Sequence, residues 1–151
     1  MIKLAFKDHI IPGQPNILVD FEASEEIKSK IHLVDKEFEM MVWKTLTNLD
    51  IVRKYELNED KFEKFQLAYF TKDYNLVKKS FDTIAPKTQN VLLIWASIFD
   101  AVITDLETFN SNWKEFFAPS RDDLLIISED LSWIAYIAHF ECLFFGQGLH
   151  K

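Results

Sequence analysis

The feature that most constrains this chain is a run of six apolar residues at 91–96, Val-Leu-Leu-Ile-Trp-Ala. It is rich in β-formers and too short for a buried helix, so it reads as a central strand covered on both faces. Extended to Phe99 across Ser97 it is still too short to span a bilayer, which takes about 20 apolar residues. No membrane association is expected. The N-terminus, Met-Ile-Lys-Leu-Ala-Phe-Lys-Asp, lacks the apolar core of a secretory leader. One cysteine, Cys142, allows no intrachain disulfide and suits a reducing compartment. A cytoplasmic location is the expectation.

The 151 residues fit one domain, 1–151, and 48% hydrophobic with 27% charged residues suffices to build a core. The net charge of −7 disfavours phosphate backbones, so no nucleic-acid partner is expected. The excess is uneven. Residues 98–151 hold nine acids against three bases, leaving only −1 for residues 1–97. Such a third serves solubility or attracts a basic partner.

Around the central strand, Ile2, Leu4 and Phe6 alternate with Lys3, Ala5 and Lys7 as a half-buried strand. Pro12-Gly13-Gln14-Pro15 is a turn, and residues 17–21 are a second strand pairing back on the first. Ser24 opens a helical stretch through Ile27, Ile31 and Val34, and Asp35 is a second cap before Phe38, Met41, Val42 and Leu49. One helix and two fit equally. Asn58 caps a helix to about Phe70, with Phe62, Phe65 and Tyr69 on one stripe. Asp73 caps another, closed by Pro86. Thr104 or Asp105 starts a helix carrying Leu106, Phe109, Trp113 and Phe117 inward, ended by Pro119.

Residues 124–127 form a strand, 129–132 a tight connection, and 133–145 a long strand bent near His139 or Glu141. Gly146-Gln147-Gly148 frays. The expected fold is α+β: a mostly antiparallel sheet with a C-terminal hairpin, packed against several helices.

The side chains with chemical potential cluster late. Asp122 and Asp123, with Glu141 or Asp130, could offer oxygens to a divalent cation. On one strand His139 and Glu141 face the same side, the placement of an acid–base or metal pair. Two ligands are too few for a metal site. The simpler account is that these residues satisfy turn backbone. Cys142, in an apolar strand, reads as buried and inert. With three glycines the chain has neither GxGxxG nor GxxxxGK[ST], and HExxH, CxxC and a nucleophile elbow are missing. No cofactor is expected, and the balance leans away from an enzyme.

Trp113, Pro119-Ser120-Arg121-Asp122-Asp123, Ser132-Trp133, His139-x-Glu141 and Gly146 together resemble a group of small bacterial domains of unknown function, some of which act as immunity proteins beside secreted toxins. The likeness covers the last third of the chain. It implies a non-enzymatic protein-binding module that neutralises a basic toxin domain. Contacts are then expected at Asp122, Asp123, Glu129 and Asp130, with Trp113 and Trp133 as anchors. The alternatives are a small metal-dependent hydrolase using Asp122, Asp123, His139 and Glu141, and a subunit of an intracellular complex.

Overall fold

A computed structural model describes residues 3–96 and 99–150. Two 3-10 segments, Phe6–His9 and Asn16–Asp20, precede α1 (Glu25–Lys28), β1 (His32–Leu33) and α2 (Lys36–Asn48). A small hairpin, β2 (Val52–Arg53) and β3 (Glu56–Leu57), leads to β4 (Phe62–Tyr69) and α3 (Asn75–Asp82). Then come β5 (Asn90–Trp95), β6 (Val102–Asp105), α4 (Leu106–Ser111), α5 (Trp113–Phe116), β7 (Leu124–Ser128), β8 (Trp133–Ala138) and β9 (Cys142–Leu149). Seven strands form one antiparallel sheet in the order β1-β6-β5-β7-β8-β9-β4. The fold is α+β, with the C-terminal strands β8 and β9 in a hairpin.

The sheet divides two cores. Val91, Leu93 and Trp95 of β5, with Trp133, Ala135 and Ile137 of β8, face a layer containing Val77, Phe81, Phe109, Trp113 and Phe116 of α3, α4 and α5. Leu92 and Ile94, with Ile134 and Tyr136, face Phe38, Val42 and Leu46 of α2 and Val52 and Leu57 of the small hairpin. Period-two alternation therefore puts apolar side chains on both faces of one strand; residues 91–95 of the run lie in β5, inside the sheet, while Ala96 falls past its end and is exposed. Among the described residues no helix is long and apolar enough to cross a membrane.

Several local expectations change. The 24–49 stretch is two helices. Ser24 Oγ accepts from Ile27 N and Asp35 Oδ1 from Glu37 N, and between the two caps β1 pairs with β6. Residues 17–21 are not a strand: Asn16–Asp20 is a 3-10 turn behind Pro15, which has φ −59° and buries Ile17 and Leu18. Of the expected strand at 2–6, Ile2 lies outside the described residues. Leu4 N and Phe6 N donate to Glu129, the first to its carbonyl and the second to its carboxylate, so a side chain replaces part of a ladder.

The largest correction is β4, expected as a helix. Asn58 does cap, but only the 3-10 turn Glu59–Lys61. The chain then runs straight against β9, from the Phe62–Leu149 pair to Tyr69–Cys142. Between the Phe62–Leu149 and Lys64–Gln147 pairs, Gly148 sits at φ 68°. With this irregularity Phe62 and Phe65 both pack on the α2-side core, which is how a strand shows the i, i+3 spacing of a helix. The 133–145 strand likewise breaks at 139–141, where Glu141 has φ 63°. Residues 146–148 do not fray; they complete β9.

Gly146 is required by a close approach. A Cβ there would lie 2.5 Å from two carbons of the Phe62 ring, itself 5% exposed. Gly146→Ala is expected to cost about 2–3 kcal/mol as an overpacked site. The penalty should shrink in a Phe62→Leu background, giving a favourable coupling in a double-mutant cycle by urea denaturation. Equal midpoints for wild type and Gly146→Ala would show that the ring moves aside freely.

Candidate functional site

The structure uses most of the flagged acids internally. Asp122 is 0% exposed: its carboxylate accepts from Arg121 Nε at 2.8 Å, Arg121 Nη2 at 3.0 Å and Ala118 N at 2.7 Å. It fastens the loop between α5 and β7 and is no surface contact. Glu129 Oε2 accepts from Phe6 N at 2.8 Å, and Asp130 Oδ1 accepts from Ser132 N at 3.0 Å in the β7–β8 turn. Both flank an open cleft of about 510 Å³ that Lys3 and Lys7 also line, so the surroundings are mixed rather than acidic. Asp105 caps α4, Glu107 accepts from Ser111 and Glu141 from Tyr74. The acids of the last third largely answer nearby backbone and hydroxyl donors.

The two tryptophans are core, not exposed anchors. Trp113 is buried, stacked on Tyr74 and edge-on to Phe70. Trp133 is buried, stacked on Phe145, with Nε1 donating to Gln89 Oε1 at 3.2 Å.

The hydrolase set does not converge either. His139 and Glu141 were expected on one side of a strand, but they lie in a tight turn and part company. Glu141 reaches Tyr74, which packs on the core beneath α3–α5. This hydrogen bond to a carboxylate holds the Tyr74 phenol above its usual range. His139 turns toward Tyr55 of the small hairpin. With Asp122 held by Arg121 and Glu141 by Tyr74, only Asp123 and His139 of the four come together. Among the described residues no three of His, Cys, Asp and Glu gather as ligands. Cys142 is buried between β8 and β4, and desolvation pushes its thiol up to about 11, far from a reactive thiolate.

What the structure does assemble is a corner around His139. Asp123 Oδ1 accepts from the backbone N of His139 at 2.9 Å and lies 3.0 Å from its Nδ1. One carboxylate thus fixes both the turn and the imidazole, whose Nδ1 faces Asp123. The Tyr55 ring stands edge-on to His139 at 4.9 Å, and Phe140 at 5.3 Å. Tyr69 continues the row, 6.4 Å from Phe140. Tyr55 is 39% exposed, Phe140 41% and the His139 side chain 38%. Next to Tyr55 an open cleft of about 490 Å³ is lined by Trp43, Thr47, Val52, Arg53, Lys54 and Tyr136. Tyr136 is 2% exposed, and burial first, then the charge of Asp123, keeps its phenol protonated well beyond neutral pH.

An aspartate-oriented imidazole is the base half of a nucleophilic triad. Among the described residues, no hydroxyl or thiol hydrogen-bonds to its ring. The corner presents three partly exposed rings, one of them held in place by Asp123. Of its members, Asp123 and His139 stood out in the sequence. Tyr55 and Phe140 did not, because each is a single aromatic flanked by charged residues or by His and Glu, without periodicity. Compared with protein-family models and with curated proteins, the chain matches none.

Proposed function

We propose that this protein acts by binding another protein, with Tyr55, His139 and Phe140 as the contact. The observation that carries this is the exposure of three adjoining rings, at 39%, 38% and 41%, in a chain that buries Phe6, Phe70 and Phe81 completely. Aromatic side chains held rigid before contact lose little entropy on binding, and they dominate interface energetics. Asp123 supplies that rigidity for His139, against which Tyr55 and Phe140 pack edge-on.

The finer reading is an immunity-type protein that covers a basic toxin domain. It is supported by the resemblance of the last third and by the net charge of −7, which steers a basic partner toward the molecule. The internal acids then contribute to the long-range field, and the rings make the contact.

The test is capture of partners by the tagged chain in its host, comparing wild type with Tyr55→Ala/Phe140→Ala and with Glu129→Gln. A basic partner held at low salt and shed at moderate salt is expected for wild type and Glu129→Gln. The double variant should bind at least about 30-fold more weakly, the size of one hot spot. Its thermal melt should fall by only a few degrees, since both rings are partly exposed. A partner retained at full affinity by the double variant would place the interface elsewhere.

A further inference from the structure

The sheet has two edges of different kinds. β1 is two residues long, whereas β4 is eight, and β4 is hydrogen-bonded to β9 on one side only. Among the described residues no strand lies on its other side. A long open edge carries unpaired N–H and C=O groups, which proteins blunt with proline, charge, a bulge or short length. β4 has no proline, its irregularity lies at the Phe62 end, and its charges are Glu63 and Lys64 at that same end. The remainder, Phe65-Gln66-Leu67-Ala68-Tyr69, is uncharged.

On this stretch Phe65, Leu67 and Tyr69 share one face. Phe65 packs inward against the α2-side core, while Leu67 is 51% and Tyr69 66% exposed. The face is a palindrome, aromatic–leucine–aromatic, centred on Leu67. A twofold axis there places Leu67 opposite Leu67 of a second copy and Phe65 opposite its Tyr69. On the other face Gln66 meets Ala68. Every pair is compatible, and both exposed apolar side chains become covered.

We propose that β4 pairs antiparallel with β4 of a second copy of this chain, in the register centred on Leu67, joining the two sheets edge to edge. The contact is isologous and closes at two copies. An edge-to-edge contact of five residues a side is small against the roughly 1,200–2,000 Å² of stable specific interfaces, so it forms reversibly. Each copy carries −7, so the dimer tightens as salt rises. A basic partner at the His139 corner shows the opposite salt dependence, and the two proposals stand or fall separately.

Sedimentation velocity over micromolar to submillimolar concentration, at low and high salt, reads the association. Wild type is expected as a monomer–dimer equilibrium whose dimer fraction grows with salt. Leu67→Lys sets two ammonium groups directly opposite each other and should be monomeric throughout, with an unchanged melt. Under mild oxidation Leu67→Cys should form a covalent dimer, since directly opposed Cβ atoms lie about 4.5–5.5 Å apart, close to disulfide geometry. Gln66→Cys faces Ala68 and should not. The Tyr55→Ala variant, whose ring lies against His139 rather than Tyr69, should dimerise like wild type. Wild type monomeric at every concentration and salt, with no Leu67→Cys cross-link, overturns the proposal. So does a dimer that survives Leu67→Lys, or an extended segment of a different protein occupying β4.

Discussion

Trp133→Ala is expected to destabilise the protein by about 3–5 kcal/mol, the cost of emptying a buried large aromatic site. Trp133 opens β8, which is bonded to β7 on one side and β9 on the other. Its ring stacks 5.6 Å from Phe145 and meets Phe81 at 5.8 Å, and its indole N–H is paired with Gln89. Truncation opens a cavity where three elements meet and leaves Gln89 without this donor. Against a typical stability of about 5–15 kcal/mol the loss is a large fraction, and it should lower Tm by roughly 6–20 °C. Urea denaturation and calorimetry measure it. A variant with wild-type stability that no longer binds a partner would return Trp133 to the interface.

Asp122→Ala should cost about 2–4 kcal/mol, since it removes charge-assisted hydrogen bonds and strands a backbone donor. The Ala118 N–H loses its acceptor, and the loop leading into β7 loses its tie. Arg121, with a side chain 46% exposed, recovers hydration, which keeps the penalty below that of a fully buried broken pair. Asp122→Asn preserves the shape and one acceptor for Ala118, so it should fall between wild type and alanine. Partner association measured on the folded fraction should be unchanged in both variants. Normal stability combined with slowed association would instead make Asp122 a steering charge at the surface.

Local chemistry was the legible part of this fold. The caps at Ser24, Asp35, Asn58, Asp73 and Asp105 all accept from nearby backbone, because capping needs only a few neighbouring residues. The strand at 91–96 was equally plain, since a two-sided apolar run has few other homes. β4 was not, because its strand character comes from β9, far along the chain, and its phenylalanine spacing imitates a helix. The candidate site divides in the same way. Asp122, Asp123, Glu129, Asp130 and Glu141 were conspicuous because carboxylates serve both chemistry and structure, and here loop backbone, the distant Phe6 N–H and the Tyr74 hydroxyl claim them. Tyr55 and Phe140 are distinguished by their exposure, which depends on how the hairpin and the 139–141 turn come together in space.

The strand order also governs how the molecule is made. β4 ends at Tyr69, but its neighbour in the sheet spans Cys142–Leu149. At about 5–20 residues per second, the ribosome needs roughly 4–16 s to travel from one to the other. During that interval β5, β6, β7 and β8 can already pair among themselves, while β4 waits with its apolar face and both backbone edges open. Residues 65–69 are therefore a segment of the nascent chain that a chaperone has time to bind. The release of that segment coincides with the emergence of β9.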